Sequence, residues 1–137
     1  MMMNIFISLV YGPIEGRTDK NALEEWYYEL EKEYVKWEDN KVIIIGDFNA
    51  KVGCDKDGIE GNHPEVSTAG KNLLNFCNRR NLTIMNNSKI TEGLWTREDP
   101  NGGKSVLDYV IANEDMKSQI TKIIIDESHE YKLSRHK

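Results

Sequence analysis

The sequence predicts an α/β (α+β) fold in which a mixed β-sheet carries helices on one face. The chain of 137 residues has the length of a single domain. The predicted strand at 41–45 contains a continuous apolar run at 42–45, which is typical of a strand covered on both faces. Residues 22–37 instead repeat their apolar positions with the period of an amphipathic helix. The predicted order, β-α-β-α-β-β-β-(α)-β, favours a mixed sheet against which the helices pack.

The amino-terminal part of the chain is predicted to form a strand and then a helix. Residues 5–11 are apolar and predict a buried strand. In the helix at 22–37, Asn21 followed by Glu24 resembles a capping box with Asn21 as the N-cap. The apolar and aromatic residues of this helix recur on one side, so they are predicted to pack into the core. They are Leu23, Trp26, Tyr27, Leu30, Tyr34 and Trp37.

The rest of the chain is predicted to form a second helix and several strands. The strand at 41–45 ends in Gly46-Asp47-Phe48-Asn49. The further elements are a polar, glycine-rich loop at 52–64, a helix at 68–80, strands at 82–85, 94–96 and 105–112, a turn at 99–103, a helical turn at 114–119 and a last strand at 120–125. The last strand contains a continuous run of isoleucines, as the strand at 41–45 does.

Composition restricts the class of protein. The net charge is −5, and the acidic residues concentrate in the first half, so the chain lacks the overall basic charge of many nucleic-acid-binding proteins. The second half offers Lys71, Arg79, Arg80, Arg97 and Lys104 to a phosphate backbone. The apolar runs are much shorter than the about 20 residues of a membrane span, so no membrane partner is expected. Two cysteines without metal-ligand spacing fit a reducing compartment, either the nucleus or the cytoplasm.

Three polar residues stand where a catalytic site could form. Asp47 and Asn49 follow a buried strand in a glycine-flanked turn, which can hold side chains rigidly while leaving them accessible. Asp108 lies among apolar residues, and burying a carboxylate there is costly unless a partner group compensates its charge. Taken singly, these signals also fit an ordinary turn and a strand-edge position. The common phosphate-binding, dinucleotide-binding and zinc-protease motifs are absent from the sequence.

The order of the motifs is more specific than any one of them. Tyr11-Gly12-Pro13 follows the first strand, Gly46-Asp47-Phe48-Asn49-Ala50 follows the second, and Leu94-Trp95-Thr96-Arg97 precedes Leu107-Asp108-Tyr109. This succession resembles the endonuclease/exonuclease/phosphatase superfamily over nearly the whole chain. The run Gly-Asp-Phe-Asn-Ala-Lys-Val-Gly and the long loop after it are similar to the endonuclease domains of LINE-type non-LTR retrotransposons.

The resemblance implies a role for each matching residue. Asp47 would orient or deprotonate the attacking water and is the one residue here that the family pattern offers as a ligand for Mg²⁺, the implied cofactor. Asn49 and Tyr11 would contact the scissile phosphate of DNA, the implied partner. Asp108 would pair with a catalytic histidine and fix its orientation. Trp95 would contact the substrate.

The resemblance also implies an incomplete domain. The family fold is a four-layer α/β/β/α sandwich, and residues 1–137 resemble its C-terminal half as one partial domain. The N-terminal half, with an Asn and a metal-binding Glu, is not matched. One sheet face is therefore expected to lie open, with strands at 42–45 and 123–125 contributing to it. A complementary half-domain or self-association would cover that face, and the chain alone would be weakly active or inactive.

Two questions remain open at the level of sequence. The family ends in a Ser-Asp-His motif, so Ser134-Arg135-His136 is either this motif with Arg in place of Asp, or an accidental likeness in a chain that stops before it. The leading function is a Mg²⁺-dependent endonuclease. The alternatives are a non-enzymatic remnant or nucleic-acid-binding module that kept the scaffold, and a phosphodiesterase or phosphatase acting on small molecules.

Overall fold

A computed structural model describes residues 4–14, 16–55 and 58–127. The α-helices are α1 (Lys20–Trp37), α2 (Thr68–Arg80) and α3 (Glu114–Lys117). The strands are β1 (Ile5–Tyr11), β2 (Lys41–Asp47), β3 (Thr83–Ile84), β4 (Thr91–Glu92), β5 (Arg97–Glu98), β6 (Lys104–Ser105), β7 (Asp108–Ala112) and β8 (Ile123–Ile124). A short 3₁₀ turn at Met85–Asn87 follows β3.

The main sheet is mixed, as the sequence predicted. Its strand order is β1-β2-β7-β3, with β1 parallel to β2 and with β7 antiparallel to both β2 and β3. Strands β4 and β8 form a separate parallel pair, and β5 and β6 form a hairpin. Among the described residues, no helix has both the length and the apolar character needed to cross a membrane.

The helices cover one face of the main sheet. Phe6 of β1 stacks on Trp37 of α1, with ring centroids 4.2 Å apart. Ile44 of β2 and its cross-strand partner Ile111 of β7 are buried in the same core. Tyr34 of α1 meets the buried Phe76 of α2 edge to face. The prediction is confirmed for the buried Leu23, Tyr27 and Tyr34 and for Trp26 and Leu30, which pack partly buried against the core. It was wrong for Trp37, which stacks on Phe6 but keeps 39% of its surface exposed.

The opposite face of the sheet is open along β1. Alternate residues of this strand, Ile5, Ile7 and Leu9, are exposed, and Leu9 keeps 79% of its surface accessible. Open apolar surface was expected from the strands at 42–45 and 123–125. The second of these was wrongly placed, because Ile123–Ile124 pairs with Thr91–Glu92 in the separate two-stranded sheet.

The first helix begins earlier than predicted. Asp19, not Asn21, is its N-cap, and the Asp19 carboxylate accepts a hydrogen bond of 2.8 Å from the backbone N–H of Ala22. Both side chains can cap a helix, and Asp19 has the extended backbone conformation that a cap requires. The second helix spans the predicted residues, and Ser67 caps it through the backbone N–H of Gly70.

Several predicted strands are shorter, and one is absent. The region 82–85 contains only the two residues of β3, and 120–125 contains only the two residues of β8. The predicted strand at 94–96 is not formed, because the backbone N–H groups of Leu94 and Trp95 donate to the carboxylate of Glu127 instead of to a strand. The region 105–112 is divided into β6 and β7 at the point where Leu107 donates its N–H to the Thr96 hydroxyl.

A cavity of about 190 Å³ lies between β1 and α1. Ser8 faces it from β1, opposite Ile44 of β2, and its walls include the side chains of Leu30 and Tyr34. A small hydroxyl side chain at this position leaves apolar walls without contact partners, and such a gap lowers stability.

Ser8→Val is expected to stabilise the fold by about 1 kcal/mol, because the added methyl groups bury apolar surface and Val suits a strand. Thermal unfolding followed by circular dichroism would measure the change. Ser8→Ala is the matched control, since it removes the hydroxyl without filling the cavity. Equal melting temperatures for the Val and Ala variants would contradict this prediction.

Candidate active site

Three of the predicted site residues lie in one row across the main sheet. Tyr11 of β1 is the register partner of Asp47 of β2, and Asp47 is in turn the register partner of Asp108 of β7. Because β1 and β2 are parallel, their carboxyl ends meet at one edge of the sheet, and the antiparallel β7 begins there. Alternation along the strands puts this row on the open face, in line with Leu9 and Ile45.

The fourth predicted residue, Asn49, is held beside this row. Its backbone has a positive φ of 47°, and its N–H donates to Oδ1 of Asp47 at 2.9 Å. Its side-chain nitrogen Nδ2 donates to the carbonyl oxygen of Gly12 at 2.8 Å. That bond uses one of the two amide hydrogens, so the other can be donated to a ligand.

Two glycines allow the backbone segments of the site to approach closely. The N–H of Gly12 donates to the carbonyl of Asp47 at 2.6 Å, and a Cβ on Gly12 would lie 2.4 Å from the carbonyl oxygen of Phe48. A Cβ on Gly46 would lie 2.0 Å from the carbonyl oxygen of Val10. The turn after β2 can therefore lie against the end of β1 only with glycine at both positions.

The two carboxylates of the row face each other across antiparallel strands. Burial raises the pKa of Asp108 above its usual value, and the negative charge of Asp47 raises it further. A hydrogen bond from the Thr96 hydroxyl acts in the opposite direction and lowers the pKa. Like charges directly opposite each other destabilise a sheet. An arrangement that carries this cost is typical of a functional site.

Sequence reasoning missed one residue that joins the two halves of the site. The buried phenol of Tyr109 bonds to the carbonyl oxygens of Ala50 and Val106, which belong to the segments that follow Asn49 and precede Asp108. Burial raises the pKa of this phenol, so it stays protonated and able to donate. Its position next to Asp108 in the sequence was the only available signal.

Trp95 lies in the loop before β5 and is half-buried against the hydrophobic core, and it is not part of the row of Tyr11, Asp47 and Asp108. Its backbone N–H donates to Glu127 at 2.7 Å, and this bond, together with a second one from Leu94, lowers the pKa of the Glu127 carboxyl. Thr96, the next residue, reaches the main chain of Asp108. The loop that carries Trp95 is thus fixed at both ends.

The basic residues that the sequence suggested for contact with a phosphate backbone lie in different environments. Arg79 and Arg80 each approach the carboxylate of Glu31 to 2.6 Å and so join α2 to α1. Arg97 pairs with Asp99 at 3.2 Å in the β5–β6 hairpin, and Lys104 is exposed on the same hairpin. The hairpin therefore holds Lys104, the basic residue nearest Asp108 along the chain, together with Arg97.

The donor set is compatible with a magnesium ion bound together with a substrate. Among residues 4–14, 16–55 and 58–127, no group of three or more His, Cys, Asp or Glu side chains could hold a metal by itself. Mg²⁺ is commonly bound by one or two carboxylates together with substrate phosphates and water. Asp47 and Asp108 provide two carboxylates at adjacent register positions.

The histidines of the sequence are only partly described. His63 is exposed in the long loop, and its Nδ1 accepts from the backbone N–H of Glu65 at 3.2 Å. His129 and the Ser134-Arg135-His136 run lie outside the described residues.

Comparison with known proteins identifies the family. No curated protein is significantly similar to the chain. The family model described as endonuclease-reverse transcriptase matches residues 5–137. This match covers every strand, helix and turn that builds the row of Tyr11, Asp47 and Asp108. The chain therefore belongs to the endonuclease-reverse transcriptase family, within the endonuclease/exonuclease/phosphatase group that includes the LINE-type endonucleases.

Proposed function

We propose that this chain forms the C-terminal part of a Mg²⁺-dependent DNA endonuclease domain of the retrotransposon type, which hydrolyses a phosphodiester by attack of water. The observation that carries the proposal is the row of Tyr11, Asp47 and Asp108 on three adjacent strands, with Asn49 bonded beside it. Membership of an endonuclease family supports the reaction class.

In this proposal Asp47 acts on the attacking water. Its carboxylate is half-buried at the end of β2, and its Oδ1 already accepts the N–H of Asn49, which fixes the rotamer. A carboxylate held in this way can orient a water molecule and accept its proton as attack proceeds. Asp47 would also hold the Mg²⁺ ion, which when bound neutralises negative charge on the phosphate.

Asn49 and Tyr11 would bind the scissile phosphate. The remaining amide hydrogen of Asn49 and the phenol of Tyr11 are neutral donors suited to phosphate oxygens. Tyr11 keeps 69% of its surface accessible and stands next to Asp47 in register, so a phosphate can reach both residues. Trp95 would contact the substrate at the neighbouring loop, and Asp108 would orient a histidine that protonates the leaving group.

DNA and a second apolar layer are the proposed partners. The basic groups of the β5–β6 hairpin, Arg97 and Lys104, are suited to the DNA backbone, and such contacts weaken steeply with salt. The exposed side chains of Ile5, Ile7 and Leu9 support a covering layer over the open face. We propose that a complementary half-domain supplies this layer, that the chain self-associates without it, and that its activity alone is weak. The compartment would be nuclear or cytoplasmic.

Plasmid nicking by the purified chain tests the proposed reaction. With supercoiled plasmid and Mg²⁺ we expect slow nicking that EDTA abolishes. Asp47→Asn should reduce the rate at least about 100-fold, because the base and the metal ligand are both lost. Asp39→Asn is the matched control, since Asp39 is exposed just beyond α1 and should leave the rate unchanged.

The same experiment separates the alternative functions. Equal nicking by the wild-type and Asp47→Asn proteins would contradict the proposed site. Hydrolysis of a small phosphate ester without plasmid nicking would favour a small-molecule phosphatase. Salt-sensitive DNA binding without hydrolysis of either substrate would favour a binding module that kept the scaffold.

Sedimentation tests the proposed covering layer. The chain alone should sediment as self-associated species. Leu9→Lys should shift it towards the monomer, because Leu9 is the most exposed large apolar residue in the described part of the chain and a charge there opposes burial of the open face. Tyr28→Lys is the control, since Tyr28 is exposed on α1, away from that face. A wild-type chain that is monomeric at all concentrations would refute this proposal.

Asp108→Asn should raise the melting temperature at pH 7, since it removes a half-buried charge opposite Asp47. The folded-state pKa of Asp108 is raised, so the folded protein binds this proton more tightly than the unfolded chain does. The charge therefore costs stability most fully above the raised pKa, and the cost fades as pH falls through it. The stability difference between the variant and the wild type should accordingly shrink from pH 7 to pH 4. A difference that is constant over this range would count against the assigned cause.

A further inference from the structure

On the side of β7 that faces away from β2, the backbone of Asp108 is held by side chains and not by a neighbouring strand. Its carbonyl oxygen accepts a hydrogen bond of 3.0 Å from Nδ2 of Asn86, and its N–H lies 3.2 Å from the hydroxyl oxygen of Thr96. Both groups point away from β2, towards the side of β7 on which β3 lies. The residue that carries the half-buried carboxylate thus has its main chain fixed by two side chains from different loops.

Asn86 replaces a missing part of the sheet. The β3–β7 pairing includes only Thr83 with Ala112 and Ile84 with Ile111, and then the chain turns away at Met85–Asn87. Asn86 is buried in this turn. In addition to its bond to Asp108, its Oδ1 accepts the N–H of Val110 at 2.9 Å. Its amide therefore supplies one donor and one acceptor, as a peptide group of a longer β3 would.

Thr96 completes the arrangement from the other loop. Its hydroxyl oxygen accepts the N–H of Leu107 at 2.8 Å in addition to that of Asp108. Its own N–H donates to the carbonyl of Ser105 at 3.0 Å, which anchors Thr96 to the β5–β6 hairpin.

Asn113 shows what a structural asparagine of the same kind does elsewhere. It is buried at the far end of β7, and its Oδ1 accepts the N–H of Val42 while its Nδ2 donates to the carbonyl of Asn40. It too joins main-chain groups at the end of a strand, but it is separated from Asp108 by the length of β7. A substitution of Asn113 should therefore affect general stability alone, whereas a substitution of Asn86 should also affect the site.

We propose that Asn86 and Thr96 are positioning residues that together fix Asp108 opposite Asp47. This positioning role depends on the proposed function, because a fixed Asp108 matters only if the chain hydrolyses phosphodiesters. The structural support is the set of four hydrogen bonds that Asn86 and Thr96 make to the main chain of Leu107, Asp108 and Val110. Without these bonds, the main-chain N–H and C=O of Asp108 that point away from β2 would lose their partners. The first residue of β7 would then be held only through its pairing with β2, and its carboxylate would be placed less firmly.

Amide hydrogen exchange measured by NMR tests whether the two side chains act as one unit. For each variant, the exchange rate is measured at a backbone amide N–H to which the substituted side chain does not bond. Asn86→Ala should accelerate exchange at the N–H of Asp108, and Thr96→Val should accelerate it at the N–H of Val110. Each change should be about tenfold after correction for global stability. Asn113→Ala should lower global stability but leave both corrected rates unchanged. Unchanged corrected rates in the first two variants, or an equal rise in Asn113→Ala, would overturn the proposal.

A second arm asks whether the positioning matters for the reaction. In single-turnover plasmid nicking, Asn86→Ala and Thr96→Val should lower the rate at saturating DNA at least about tenfold, with the DNA dissociation constant unchanged. Thr96→Ser, which keeps the hydroxyl, should restore most of the rate. Loss confined to DNA affinity would overturn the role in positioning. A wild-type chain that does not nick DNA would remove the proposed function, and the exchange measurements would still decide whether Asn86 and Thr96 hold Asp108.

Discussion

The register of β2 with its two neighbours is the constraint on which the rest of the structure depends. It places Asp47 opposite Tyr11 on one side and opposite Asp108 on the other. A shift of one residue would turn every side chain of β2 to the other face, so Asp47 would enter the core and Ile44 would leave it. The same pairing therefore fixes the hydrophobic core and the candidate site, and neither can be altered without the other.

Elements with a clear pattern of apolar residues could be predicted from the sequence. The helix Thr68–Arg80 has the predicted bounds, and the strand before Gly46-Asp47 was identified from its unbroken apolar run. The turn carrying Asp47 and Asn49 could also be found, since polar residues beside glycine at the end of a buried strand are an unusual local pattern. That Tyr11, Asp47 and Asp108 share one row could be seen only in the strand order, because residues far apart in sequence contribute to it.

Sequence reasoning missed the elements in which side chains, and not a neighbouring strand, form the hydrogen bonds to the backbone. Leu94 and Trp95 look like a strand by composition, yet the carboxylate of Glu127, more than thirty positions away, takes up their N–H groups. Asn86 lies just after the strand predicted at 82–85, and its amide makes the hydrogen bonds to β7 that a longer strand would have made. Periodicity records which face is apolar, but it contains no information on which polar side chain will occupy a backbone donor or acceptor.

The open face of β1 affects both the proposed covering layer and the access of substrate to Tyr11. Tyr11 lies on the same side of its strand as Ile7 and Leu9, and only one pleat separates the phenol from the nearest apolar side chain. In the proposed assembly, the layer over those apolar side chains must end before it reaches the phenol, and its border would form one side of the substrate entrance at Tyr11. In the proposed assembly the shape of this entrance would depend on both surfaces in contact, and substitutions in the covering layer alone would change the specificity of the reaction, with every residue of this chain kept.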